Sequence, residues 1–178
     1  TNNPVYLYQI RNLIYSDSES QKANFINSLF NGKEDLFNFS YKFIQGRKIE
    51  GTVVGGNIRC LLKLAGTKYM PDLTDKVLFL ESMGGEAGLM SSFLNQLKQM
   101  GAFDKIKGLV VGQFSDMPSD ELFPYSPYEI IQRAVAEYDF PVCCDFPIGH
   151  VQGNYPVLLG AEYELSIQPT NTYLRPLC

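Results

Sequence analysis

The sequence predicts an α/β domain, on three observations. Short, almost continuously apolar strands recur along the chain, as in K-V-L-F-L-E (76–81) and K-G-L-V-V-G-Q-F (107–114). Segments with apolar residues at helical spacing alternate with them, and glycine, proline and capping residues stand between the two kinds. Strands apolar on both faces fit parallel pairing under helices. The 178 residues suffice for one domain with a sizeable core, and a hydrophobic content of 45 % is that of a globular chain.

Residues 1–48 are polar and aromatic and read as a link and a strand entering the domain that fills residues 49–178. Within them, Ala23, Ile26 and Phe30 stand at helical spacing over Ser18 to Phe30. Asp35 to Lys48 alternates apolar and polar residues as a strand does. Gly51 to Asn57 (G-T-V-V-G-G-N) reads as a glycine-rich turn feeding a helix that Asn57 caps. Ile58, Leu61, Leu62 and Ala65 form the apolar face of that helix and Gly66 closes it. Pro71-Asp72 is a turn, Lys76 to Glu81 a buried strand and Gly84-Gly85 a loop.

Ala87 to Met100 is a helix with Met90, Phe93, Leu94, Leu97 and Met100 inward and Gly101 at its end. Lys107 to Phe114 is the next strand, and Met117 to Pro124 a loop. Ser126, Pro127 and Glu129 then form a capping box opening a helix whose apolar face is Ile130, Ile131, Ala134, Val135 and Tyr138. Val142 to Asp145 is a short strand, and Pro156 to Gly160 with Ala161 to Ile167 form a final strand pair. The terminal strands add an antiparallel portion to the parallel sheet.

Composition excludes several functions. The net charge is −4 and no Lys/Arg cluster appears, which argues against a nucleic-acid partner. No apolar run approaches the roughly 20 residues that span a bilayer. The four cysteines, Cys60, Cys143, Cys144 and Cys178, lack C-x-x-C spacing and have one histidine to join them, so neither a metal nor another cofactor is expected. They read as free thiols in a reducing compartment, with Cys143 and Cys144 on opposite faces of a strand. No signal-peptide pattern opens the chain, and the expected location is the cytoplasm.

The one histidine, His150, follows the run C-D-F-P-I-G-H. Histidine is the usual general base near neutral pH. A lone histidine equally fits a surface or core position, and position alone does not decide. Glu81 ends a strand, where catalytic groups of open α/β sheets gather. On a neighbouring strand it would orient the imidazole, while a strand-end glutamate bound to solvent or an amide fits the spacing as well. Gly55, Gly56 and Asn57 could hold an anion ahead of a helix, but they match neither a Walker motif nor G-x-G-x-x-G, and a tight turn explains them. Ser115, in G-Q-F-S-D, has no helix after it to supply an oxyanion hole, and reads as a strand-end turn with Asp116. The chain offers an acid and a base without a nucleophile.

Six blocks carry a resemblance. They are G-T-V-V-G-G-N-I-R-C-L-L-K-L-A-G-T-K-Y-M-P (51–71), V-L-F-L-E-S (77–82), L-N-Q-L-K-Q-M-G (94–101), I-K-G-L-V-V-G-Q-F (106–114), F-P-I-G-H (146–150) and P-V-L-L-G (156–160). In this order and spacing they resemble the C-terminal domain of the LD-carboxypeptidases, a family that includes the microcin-immunity peptidases. The resemblance implies a swivelling β/β/α fold, a partly open barrel with helices on one side. It implies a Ser-His-Glu triad with His150 as base and Glu81 as acid. The family's serine lies in a separate N-terminal domain, in a G-x-S-D turn, so residues 1–48 become an interdomain linker and the nucleophile is not in this chain. A bacterial homodimer acting on murein peptides is implied too. The chain departs from the family at Ser82, Met83 and Gly84 and at Ser91 and Ser92, where acidic residues and an Asp-Arg pair are common; substrate choice is affected, the triad positions are not.

Three functions follow as expectations. One is hydrolysis of an L,D-amide bond in a murein tetrapeptide by the whole protein, with this chain alone inactive. Another is a peptidyl-nucleotide resistance peptidase with the same triad. The last is a non-catalytic binding or assembly module on the same scaffold, using the aromatic opening segment.

Overall fold

The computed structural model describes residues 4–10, 13, 19–31, 39–118, 121–151, 154–167 and 175–177. Four strands form its centre: β3 (Lys48–Asn57), β4 (Val77–Met83), β5 (Gly108–Ser115) and β6 (Val142–Cys144). They lie in the order β6-β5-β4-β3 and every neighbouring pair among them is parallel, as predicted for β4, β5 and β6. The crossovers carry α2 (Ile58–Leu62), α3 (Ala87–Gln99) and α4 (Pro127–Val135). Antiparallel strands flank the centre: β2 (Lys42–Gln45) on β6, then β8 (Glu162–Ser166) on β3 and β9 (Arg175–Leu177) on β8. A separate two-stranded sheet pairs β1 (Val5–Leu7) with β7 (Val157–Leu159).

β3 makes the sheet curl. Its first half, Lys48 to Thr52, pairs antiparallel with β8, and its second half, Val53 to Asn57, pairs parallel with β4. The segment read from sequence as a glycine-rich turn is therefore the second half of a ten-residue strand. The physical reason lies at Gly55, where φ is +133° and a Cβ would stand 2.0 Å from the Phe79 carbonyl oxygen. Glycine here permits close approach of two strands rather than a change of direction.

The sheet separates two cores. Leu78, Leu80, Leu109, Val111 and Cys144 face α2, α3 and α4, while Val77, Phe79, Val110 and Cys143 face Ile148, Val157, Tyr163 and Leu165. Alternation along each strand sends successive residues to opposite cores, and Cys143 and Cys144 divide as expected. The result is a mixed α/β domain with a sheet curled into a half barrel and helices on one side, as the resemblance implied.

Caps fix the helices where the sequence placed them. Asn57 Oδ1 accepts from the Arg59 and Cys60 amides, and Ser126 with Glu129 forms the reciprocal capping box. In α3, Met90, Leu94 and Leu97 are buried. One pairing needs correction. The strands at 157–159 and 162–166 do not pair with each other, because β8 is held by β3 and β9 and β7 by β1. α1 (Glu19–Phe30) forms where the sequence placed a helix, with Ile26 at 51 % and Phe30 at 76 % exposed; Phe25 stacks on Tyr8 and Gln21 turns inward to donate to the Asn154 carbonyl. The predicted strand at 35–48 splits at Gly46 into β2 and the start of β3; its residues 35–38 lie outside the described residues. No described helix is long and apolar enough to cross a membrane.

Candidate active site

Glu81 sits near the end of β4, opposite Asn57 of β3, with only 4 % of its surface exposed. On its other side the register with β5 shifts, since Leu80 pairs Val111 and Ser82 pairs Phe114. Glu81 thus faces two residues, Gly112 and Gln113, across a bulge in β5. Bulges of this kind re-aim side chains at the edges of sites.

The bulge also builds the loop that carries His150. Asp145, at φ +65°, ends β6. Phe146 and Ile148 then bury themselves in the second core. Gln113 clamps the loop twice, its backbone amide donating to the Ile148 carbonyl at 2.8 Å and its Nε2 to the Phe146 carbonyl at 2.9 Å. A side chain at 112 would strike the Ile148 carbonyl at 2.5 Å, so glycine is required for this approach. Gly149 leaves the carboxylate its space, for a Cβ there would stand 3.3 Å from Glu81 Oε2.

These supports bring together two residues 69 positions apart. His150 Nδ1 lies 3.0 Å from Glu81 Oε2. An ionised carboxylate only accepts, so Nδ1 carries the proton of the neutral ring and Nε2 keeps its lone pair. The His150 side chain is 25 % exposed against 5 % for Glu81. The arrangement is a buried acid holding a half-exposed base in one tautomer, which equips Nε2 to take a proton from an incoming group.

The pair opens on a cleft of about 450 Å³. Asn57 lines it, while Gly55 and Gly56 do not; they act within β3. Ser115 ends β5 outside the cleft lining, its hydroxyl buried without a partner and its carbonyl accepting from Gly84. Burial pushes the Cys143 and Cys144 thiols up, the latter to about 12, and both are packed in the cores away from this role. Sequence reasoning missed Arg59, Lys63, Tyr8 and Asn154, all of which line the cleft. The first two were legible as the polar face of α2; the others enter through β1 and the loop before β7, which no local pattern brings together.

Comparisons with known proteins agree with this architecture. Residues 50–165 match the LD-carboxypeptidase C-terminal domain. The microcin C7 self-immunity protein MccF of Escherichia coli is 25 % identical over 76 % of the chain and 40 % of its own length. A protein of Bacillus subtilis (strain 168), named as a probable murein peptide carboxypeptidase, is 30 % identical over 65 % of the chain and 36 % of its own length. Among solved structures, a muramoyltetrapeptide carboxypeptidase from Oxalobacter formigenes superposes with a TM-score of 0.73 at 24 % identity, covering 89 % of this chain and 55 % of that one. The chain therefore spans about two fifths of the length of the E. coli and B. subtilis relatives and about half of the Oxalobacter one. With its matched segment filling most of the curled domain that holds His150 and Glu81, the chain belongs to the LD-carboxypeptidase C-terminal domain family of peptidases.

Proposed function

We propose that this chain supplies the base and the acid of a Ser-His-Glu triad, and that the whole protein hydrolyses an L,D-amide bond in murein peptides. The 3.0 Å hydrogen bond from His150 Nδ1 to Glu81 Oε2 carries the reading. In this scheme a serine hydroxyl from outside the chain attacks the scissile carbonyl. His150 Nε2 takes its proton, Glu81 steadies the imidazolium, and the proton passes to the departing amine as the C–N bond breaks. Water then repeats the cycle on the acyl-serine, restoring the hydroxyl and releasing the acid. Residues 1–48 serve as the link from the serine-bearing domain, the chain alone is inert, and the protein works in the bacterial cytoplasm as a homodimer.

The likeness to the E. coli immunity protein supports a second reading, the same triad acting on a peptidyl nucleotide. One assay separates the readings. The chain, alone and joined to its serine-bearing domain, is given a murein tetrapeptide or an aminoacyl-adenylate mimic, and product release is followed by mass spectrometry. Release of D-alanine by the joined protein only, abolished by His150→Ala, is the expected result. Robust turnover by the chain alone would refute the triad assignment, and turnover of the adenylate mimic alone would favour the second reading.

A further inference from the structure

We propose that Arg59 and Lys63 form a carboxylate-binding subsite of the His150 cleft, which holds the free carboxyl terminus of a peptide substrate. The proposal rests on the peptidase reading and adds to it the group by which the substrate is chosen.

The two cations are placed by α2. Ile58, Leu61 and Leu62 are buried against the first core, so the helix turns Arg59, Cys60 and Lys63 to the opposite side. Positions 59 and 63 are four apart and share one face. Both residues line the cleft that His150 and Glu81 line. Two like charges at this spacing repel, and among the described residues no carboxylate lies in ion-pair distance of either. Among the described residues the one carboxylate in the cleft wall, Glu81, is buried and occupied by His150. A chain of net charge −4 thus concentrates unopposed positive charge at its candidate active site. An incoming anion relieves that repulsion, and a planar guanidinium matches a carboxylate with two parallel hydrogen bonds.

A second observation points to a polar ligand. Asn154 lines the same cleft with 1 % of its surface exposed, and neither its Oδ1 nor its Nδ2 has a partner. The Tyr8 hydroxyl, also in the cleft wall, is buried and unpartnered too. Buried polar groups are ordinarily satisfied, so two exceptions in one wall mark where a ligand's amide groups are answered. Apolar side chains complete that wall at Leu7, Met83 and Ile148. A peptide ending in a carboxylate carries both kinds of group; a bare phosphate carries one.

Cys60, exposed between the two cations, reports on occupancy. The intact chain is treated with iodoacetamide, and alkylation at Cys60 is followed by peptide mapping with a D-alanine-terminated tetrapeptide, its C-terminal amide or adenosine monophosphate present. The free acid is expected to protect Cys60, the amide to need about tenfold more for the same protection, and Arg59→Gln with Lys63→Gln to erase the difference. Equal protection by acid and amide, no protection by the acid, an unchanged preference in the double variant, or protection by the nucleotide alone each overturns the proposal. In the joined protein the double variant should raise KM for the free acid and hold kcat within about threefold, because uniform binding is what it removes. Hydrolysis that survives His150→Ala would defeat the triad and leave this carboxylate preference standing, so the two failures are distinguishable.

Discussion

The Gln113 amide donates to the Ile148 carbonyl at 2.8 Å, two residues ahead of His150. The same residue's Nε2 donates to the Phe146 carbonyl at 2.9 Å. One glutamine at a bulge in β5 therefore sets the entry of the loop, while Gly149 opposite it admits the Glu81 carboxylate. The loop that carries the imidazole is thus held by contacts that do not involve the ring, which Glu81 then orients.

Replacing that glutamine side chain should separate positioning from folding. Gln113→Ala removes the bond to Phe146 and keeps the backbone bond to Ile148. The expected loss of stability is about 1 kcal/mol, as for one part-buried hydrogen bond. In the joined enzyme kcat should fall about tenfold with KM little changed, since the base is misplaced by a fraction of an ångström. Gln113→Glu, which cannot donate, should reproduce the loss. A variant with normal kcat would show that the loop holds His150 without this clamp.

The triad reading predicts strong, non-additive losses. Glu81→Gln keeps the shape of the acid but loses the charge that steadies an imidazolium, and turnover by the joined protein should drop about 10³- to 10⁴-fold. His150→Ala should lose at least as much, and the double variant little more than either, because the groups act as a unit. His150→Ala also leaves the buried Glu81 carboxylate without its partner, so its urea midpoint should fall while that of Glu81→Gln holds. Turnover within tenfold of the parent in either single variant would break the assignment.

Glycine at position 55 is predicted to be a stability residue. A Cβ there would lie 2.0 Å from the Phe79 oxygen and 3.0 Å from two further backbone atoms, none of which belongs to a flexible side chain. Gly55→Ala should cost about 4 kcal/mol or more, at the exceptional end of single substitutions. Gly66 is the control, with φ +76° and nothing within 4 Å of a Cβ. Gly66→Ala should cost only about 1–2 kcal/mol from its left-handed backbone. Urea unfolding compares the two; equal losses would mean that strand contact adds nothing to backbone strain.

Local chemistry explains how much of this was legible. The Ser126 box, the Asn57 cap and the apolar face of α3 are decided within a few residues, and the sequence shows them directly. Parallel pairing among β4, β5 and β6 follows from strands apolar on both faces. The pattern failed where a distant element decides. The glycines at 55 and 56 look like turn residues until β4 pairs alongside them and the Phe79 backbone packs on Gly55. His150 and Glu81 were each nameable, but the bulge and the Gln113 clamp that join them are long-range facts. Nothing local singles out Arg59 and Lys63, because the cleft they line is completed by Leu7 of β1, far away in sequence.

Burial of weak acids predicts a stability loss on the alkaline side. Desolvation raises the Cys144 thiol from 9.0 to about 12 and the Tyr41 phenol from 10.0 to about 12, and it raises Cys143 in the same direction. A raised native value means that the folded chain keeps its proton while the unfolded chain loses it. Between about pH 9 and pH 12 the unfolded state then binds fewer protons, and stability must fall as pH rises. The contribution is whole below the unfolded thiol value and is lost toward the folded one. Surface ion pairs confuse the result only nearer 10.5, where Lys48 and Lys98 would titrate when unfolded. The urea midpoint should therefore be flat from neutral pH to about 9 and decline from there to about 10.5. Removing both thiols with Cys143→Ala and Cys144→Ala should lower the midpoint at neutral pH, through lost packing, and flatten the alkaline slope. A parent midpoint that stays level across the window would mean that the two cores admit water to these groups, and a double variant with the parent's slope would assign the loss to the buried phenols, Tyr41 and Tyr163 foremost, instead.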